Sequence, residues 1–238
     1  MDSLNLEKLD FYLTPEHDCS YLDSETAMTL FADPERTIDT ALYSQLIRFG
    51  FRRSGQHVYR PRCPLCDACV PIRLIAKNFR PNRSQRRCWK KNADIETRVA
   101  PAEFKQAHYE LYRRYISQRH SGGGMDTDEP DKYRDFLLNP YIDSALHEFW
   151  LNGKLVGIAV VDHLENAVSA VYTFFEPSEK SRSLGVFAIL YLLDYAKMHQ
   201  IGHVYLGYWI TECQKMAYKS QYRPFETFHN GRWKIFNS

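Results

Sequence analysis

Three cysteines at positions 63, 66 and 69 constrain this chain more than any other feature, because sulfurs spaced by three residues must be presented together by one turn-rich loop. Strand-like segments at 56–59 and 71–75 flank them, so the sequence predicts a cysteine knuckle held between two short strands. Zinc sites more often use two separated C-x-x-C pairs, whereas three cysteines with a remote fourth also suit an iron–sulfur cluster. The candidate metal ligands are therefore Cys63, Cys66 and Cys69, with Cys19 or Cys88 as the fourth. The alternative is a turn of ordinary buried thiols, a common fate of free cysteine.

The same stretch is densely basic. Residues 48–98 carry 14 Lys/Arg against three acids, a local charge of +11, which leaves −9 for the remainder of a chain whose net charge is +2. Bases clustered without interleaved acids are the electrostatic footprint of a nucleic-acid partner, set against the plainer reading of a solvated face. With 44% apolar and 25% charged residues the chain has the composition of a globular protein rather than a disordered one. Its start, MDSLNLEKLD, lacks the basic and apolar regions of a signal peptide. The longest uncharged apolar run, 184–193, is half of the roughly 20 residues that cross a bilayer. The expected location is the cytoplasm, with no membrane partner, and there the six cysteines are thiols or metal ligands rather than disulfides.

The charge break divides the chain into a basic, cysteine-containing N-terminal domain, 1–98, and a second domain, 99–238. In the first, apolar positions 38, 42, 46 and 49 predict a helix that stops at Gly50. In the second, Pro101 reads as the first turn of a helix running to about Arg119, broken by Ser121-Gly122-Gly123-Gly124. An acidic stretch, Asp126 to Asp131, precedes another helix through Leu137. Strands follow at 146–151, 155–161 and 168–175, the first two joined by Asn152-Gly153, the strongest short hairpin signal. A helix over 186–199, apolar on nearly every side, should lie buried against the sheet, and a strand follows at 203–206. The class is α+β, and the element order of the second domain resembles that of the GCN5-related acetyltransferases, an acyltransferase fold.

Two further segments carry candidate chemistry. Ser181-Arg182-Ser183-Leu184-Gly185 lies between strand and helix, where backbone N–H groups can receive an anion such as a coenzyme A pyrophosphate; the plainer reading makes Ser183 a helix cap. The run Tyr205-Leu206-Gly207-Tyr208-Trp209, with Lys215 and Lys219 beyond it, mixes rings and cations suited to a terminal base and its phosphate, or is simply the amphipathic end of a core strand.

Taken in order, Cys19-Ser20-Tyr21-Leu22, the segment 59–73 around the cysteines, Arg119-His120 with Met125, Ser183-Leu184-Gly185, and 205–209 through Lys215-Met216-Ala217-Tyr218-Lys219 resemble the arginyl-tRNA–protein transferase family, and most closely its short bacterial leucine-transferring branch. The resemblance covers roughly residues 10 to 230. It implies an N-terminal cysteine-containing domain ahead of an acyltransferase-like domain. It also implies transfer of leucine from leucyl-tRNA to the α-amino group of proteins beginning with Asp or Glu, with no DNA partner and no cofactor required for transfer. Longer eukaryotic relatives carry paired cysteines near the start, whereas this chain keeps one, Cys19.

Under that expectation the protein positions an amine against an already activated ester. Asp162, Glu176 and Tyr172 are the candidate catalytic groups. Arg73 and Arg182 are candidates for the acidic acceptor, because Arg clamps a carboxylate through two parallel hydrogen bonds. Lys215, Lys219, Tyr208 and Trp209 are assigned to the tRNA acceptor end, and Arg83, Arg86, Arg87, Lys90 and Lys91 to its backbone. An arginyl donor, a coenzyme A-dependent N-acetyltransferase and a non-enzymatic RNA-binding module are the competing expectations.

Overall fold

The computed structural model describes residues 9–23, 25–119 and 128–237. In chain order the elements are β1 (Phe11–Leu13), β2 (His17–Asp18), β3 (Thr26–Ala27), β4 (Thr29–Ala32), α1 (Thr40–Leu46), β5 (Arg52–Ser54), β6 (His57–Pro61), β7 (Val70–Ile75), α2 (Arg83–Lys91) and β8 (Glu96–Pro101). There follow α3 (Gln106–Arg119), α4 (Pro130–Leu137), β9 (Ser144–Leu151), β10 (Lys154–Leu164), β11 (Ala167–Phe175), α5 (Leu184–Met198), β12 (His203–Trp209), α6 (Gln214–Ala217), β13 (Phe225–His229) and β14 (Arg232–Phe236). The expected break at 121–124, the start of the acidic stretch, His120 and Met125 lie outside the described residues.

Local chemistry explains several boundaries. Asp39 caps α1 by accepting from the Leu42 N–H at 2.8 Å, and the chain leaves the helical turn after it through Gly50 at φ 83°. Asn152 and Gly153 both take positive φ, 49° and 76°, as a two-residue hairpin turn requires, and they join β9 to β10. Pro130 occupies the first turn of α4. Pro101 instead ends β8, the edge strand, paired with Ala145, and α3 starts only at Gln106; an edge tolerates the missing N–H.

An eight-stranded sheet, ordered β14-β13-β7-β12-β11-β10-β9-β8, forms the body of the molecule. Along β10 the side chains alternate, with Ala159 and Val161 packing under α5 while Ile158 and Val160 pack under α3 and α4. Every pairing in this sheet is antiparallel except that of β11 with β12, where α5 makes the crossover. That one parallel ladder is short: Ala167, Val168 and Ser169 face His203, Val204 and Tyr205, and then the strands part.

A four-stranded sheet, β1-β4-β6-β5, packs with α1 over the start of β11 and β12, where Ala167 and Tyr205 share a core with Tyr43, Leu46, Phe51 and Val58. The strands flanking the cysteines are both present but belong to different sheets, β6 to the smaller and β7 to the larger. The boundary expected at 98/99 falls within β8, and β7 lies between β12 and β13. Both edges of β7 are thereby satisfied by strands from the second half of the chain. No helix among the described residues is long and apolar enough to cross a membrane.

The two sheets are joined by a fully buried ion pair. Arg53 of β5 donates from Nε and Nη2 to the two carboxylate oxygens of Asp162 on β10, at 2.8 and 2.6 Å, with neither side chain exposed. Its Nη1 donates to the carbonyls of Gly55 and Leu137, and Ser144 donates to Asp162 at 2.6 Å. Asp162 is thus sealed within the joint and out of reach of a reacting group, contrary to the catalytic expectation. Replacing Asp162 with Asn should destabilise the protein by about 3–5 kcal/mol, because it strands a buried guanidinium, whereas Arg53→Met with Asp162→Leu should cost much less. Urea unfolding of the two variants would separate these outcomes, and equal losses would refute the account.

Candidate active site

The parting of β11 and β12 beyond Ser169 and Tyr205 leaves main-chain edges unpaired in the middle of the sheet. A bulge in β12 deepens the opening, since its register against β7 jumps from Tyr205↔Arg73 to Tyr208↔Pro71. Gly207, at φ +74°, makes that bulge, and a Cβ there would lie 3.5 Å from Nη1 of Arg52. The bulge turns Tyr208 inward, where its hydroxyl donates to the Gly50 carbonyl at 2.9 Å and only 2% of the residue stays exposed. The Tyr208 carbonyl in turn accepts from Nζ of the buried Lys219, at 2.6 Å.

Arg52 stands between the two sheets at this point. Its guanidinium carbon is 5.7 Å from the ring centroids of both Tyr59 and Tyr208. The phenols of Tyr21 and Tyr43 also face it, and Tyr43 in turn meets Ser169, the last paired residue of β11. Burial, then repulsion by Arg52, pulls the Lys219 ammonium down to about 7. Arg52 and a Lys219 amine that loses its proton near neutrality therefore lie together, with tyrosine phenols and the Cys69 thiol about them.

On the β11 side the wall is aromatic. Tyr172 packs 5.1 Å from Phe136, Tyr115 packs 5.0 Å from Phe175, and Arg119 lies 5.7 Å over Phe175. Tyr218, from the turn after α6, lies in electrostatic reach of Tyr115. Burial and the neighbouring Tyr115 and Tyr112 hold the Tyr172 phenol protonated, so it serves as a hydrogen-bond donor and not as a base.

The other sequence candidates are distributed as follows. Glu176 is engaged by Arg114 at 2.9 Å and by Ser178, so it anchors the end of β11. Arg73 donates to Glu226 at 2.7 Å and to Tyr205 at 2.9 Å, while Arg182 forks onto Asp94 at 2.8 and 2.9 Å; neither presents a free fork to an acceptor. Ser183 does not cap α5 with its side chain but turns the chain at φ 54°. The Ser181 carbonyl accepts from Lys91, and this loop is packed against α2. Tyr208 is too buried to stack a base, and Trp209 packs on the main core; Lys215 alone of that group is exposed. Arg83, Arg86, Arg87, Lys90 and Lys91 stand exposed together on α2. That helix, which sequence reasoning missed, is announced by an Asn82/Gln85 capping box, with bonds of 2.9 and 2.8 Å. Arg52, also missed, has no sequence signal beyond being one of many bases.

Cys63, Cys66 and Cys69 project from the loop between β6 and β7, and Cys19 joins them. Burial, then the thiols of Cys19, Cys63 and Cys66, pushes Cys69 up to about 12. Cys88 is elsewhere, on α2, with its Sγ near the Arg182 and Ser183 carbonyls. The donor types suit a soft metal, yet among the described residues no three His, Cys, Asp or Glu side chains form a metal-holding group. No step of the chemistry is routed through this loop.

Lys219 gives a testable pH dependence. Between about pH 7 and the ordinary lysine value near 10.4, the unfolded chain binds a proton that the folded protein does not, so its contribution to stability rises with pH across that window and is flat below it. Urea unfolding from about pH 6 to pH 10 should show this rise in the wild type and not in Lys219→Met. Parallel profiles would mean that Lys219 titrates normally.

Comparison with known proteins agrees over the whole chain. The family described as arginine-tRNA-protein transferase, N terminus, matches residues 17–87, and its C-terminal counterpart matches 107–229. The aspartate/glutamate leucyltransferase of Saccharophagus degradans is 49% identical over 98% of this chain and 99% of its own length. That of Pseudomonas putida is 50% identical over 98% and 99%. A crystal structure of FemX aligns with 86% of this chain and 81% of its own, at 9% identity and a TM-score of 0.47, too distant to bear on function. Matched over nearly its full length by relatives named leucyltransferases, the chain is a transferase and belongs to the arginine-tRNA-protein transferase family.

Proposed function

We propose that this protein moves leucine from leucyl-tRNA to the α-amino group of proteins that begin with Asp or Glu, marking them in the cytoplasm for degradation by the N-degron route. Near-identical length and about half-identical sequence to relatives named aspartate/glutamate leucyltransferase carry this reading. The geometry supports it, because an acyltransferase needs a place where an extended acceptor meets an activated acyl carbon. The unpaired edges of β11 and β12 offer main-chain partners to such an acceptor.

In the reaction the α-amine attacks the carbonyl carbon of the leucyl ester, a C–N bond forms, and the C–O bond to the ribose breaks. The amine's proton leaves with the ribose oxygen. The ester is already activated, so the protein's contribution is to orient the two partners and stabilise the tetrahedral oxyanion. An α-ammonium with an ordinary pKa of about 7.7–8.0 must first lose a proton. The Arg52 charge beside the split favours the neutral amine until an anion neutralises it, since like charge disfavours the ammonium. The Tyr172 hydroxyl is a donor available on the opposite wall. In this reading the transfer draws on no cofactor.

The tRNA lies along α2. An Arg86→Ala, Arg87→Ala, Lys90→Ala, Lys91→Ala variant should bind leucyl-tRNA more weakly, with a log–log salt slope smaller by about 3. An unchanged slope would remove α2 from the interface. The reading as a whole is tested with purified protein, leucyl-tRNA and arginyl-tRNA, and peptides beginning with Asp, Glu, Arg or Ala. Labelled leucine should appear on the Asp and Glu peptides alone. Transfer of arginine instead would change the donor and keep the family, and no transfer from either would sink the proposal.

A further inference from the structure

Arg52 and Arg53 are adjacent on one strand and have opposite fates. Arg53 spends its donors on Asp162, Ser144 and two carbonyls. Arg52 is partly buried, yet it has no ion pair and no hydrogen bond with any described residue; ring faces hold it, and its five N–H groups are free. A half-buried guanidinium with no acceptor from the described chain is incompletely solvated, and Lys219, in electrostatic reach, adds to the cost while it is protonated. The other bases weighed for an acidic ligand, Arg73 and Arg182, are closed by Glu226 and Asp94. The neighbours of Arg52 are phenols and the Cys69 thiol, and no carboxylate of the described chain answers it, so the position suits an anion from outside the chain.

We infer that the side-chain carboxylate of the acceptor's first residue docks on the Arg52 guanidinium, between the rings of Tyr59 and Tyr208, with its α-amine placed at the parting of β11 and β12. This rests on the transferase reading above and names the residue that selects the acceptor. Three observations favour a peptide carboxylate over a tRNA phosphate. Arg52 offers one fork between two rings, whereas a polyanion is better met by the exposed row of bases on α2. Gly207 leaves the space beside Nη1 clear of any side chain. A guanidinium held by ring faces rather than by fixed hydrogen bonds can pivot to meet a carboxylate on one methylene or on two, and so serves Asp and Glu alike. The leucyl group, being apolar, has no use for the charge.

The test compares Arg52→Gln and Arg52→Lys with the wild type on peptides that begin with Glu or Gln. In Arg52→Gln, kcat/KM on the Glu peptide should fall by about 100-fold and the preference for Glu over Gln should collapse, while KM for leucyl-tRNA stays as in the wild type. Arg52→Lys, which keeps the charge and loses the fork, should fall between them. An intact Glu/Gln preference, or a rise confined to KM for leucyl-tRNA, would overturn the inference in favour of a phosphate contact or a structural role. Wild-type protein that transfers no leucine to either peptide fails earlier, at the transferase reading itself. A second measurement needs no variant: phenylglyoxal labelling of Arg52 in the wild type, read by mass spectrometry. The Glu peptide should protect Arg52 and the Gln peptide should not, and equal labelling with both would also overturn the inference.

Discussion

The bidentate contact between Arg53 and Asp162 is the joint on which the rest of the structure hangs. It is buried on both sides, so its desolvation cost is met only if every remaining donor of Arg53 finds an acceptor, and the carbonyls of Gly55 and Leu137 supply them. This fixes β5 against β10 at one register. Because side chains alternate along a strand, anchoring Arg53 on one side sends Arg52 to the other, toward Tyr59 and Tyr208. One buried pair therefore orients both the smaller sheet and the free cation beside the split.

The split itself follows from how β12 is claimed by its neighbours. On one side β12 pairs antiparallel with β7, and on the other it keeps only three residues of parallel pairing with β11. The bulge at Gly207 shifts the register on the β7 side at the place where β11 has turned away. Tyr208 is then tied to Gly50 and Lys219 to the Tyr208 carbonyl, which locks the bend. The opening is thus a set feature of the sheet, held by buried hydrogen bonds, with the smaller sheet forming its floor.

Much of this architecture was legible in the sequence where local rules suffice. The Asn152-Gly153 hairpin, the apolar run of β10 and the all-round apolar α5 are read directly from turn chemistry and apolar patterning. The membership of β7 in the larger sheet was not legible, because its partners lie at 203–209 and 225–229, far along the chain. Nor could the candidate bases be ranked. Whether an arginine is free depends on carboxylates 109, 153 and 88 residues away for Arg53, Arg73 and Arg182 respectively. Sequence reasoning chose two that the fold neutralises and passed over Arg52.

That outcome has a physical logic. A cation kept free in a partly buried pocket destabilises the resting protein, as does a lysine whose ammonium is drawn down to about 7 beside it. The fold has no use for the uncompensated Arg52 charge, since a carboxylate from a nearby turn would have relieved it, as Glu226 relieves Arg73. A strained electrostatic arrangement that persists at the mouth of a split sheet is best explained by the ligand that relieves it. An incoming carboxylate would neutralise the Arg52 charge, and its fit there would place the neighbouring amine at the split. Selection of the acceptor would then be the consequence of one excess of positive charge that the fold leaves unanswered.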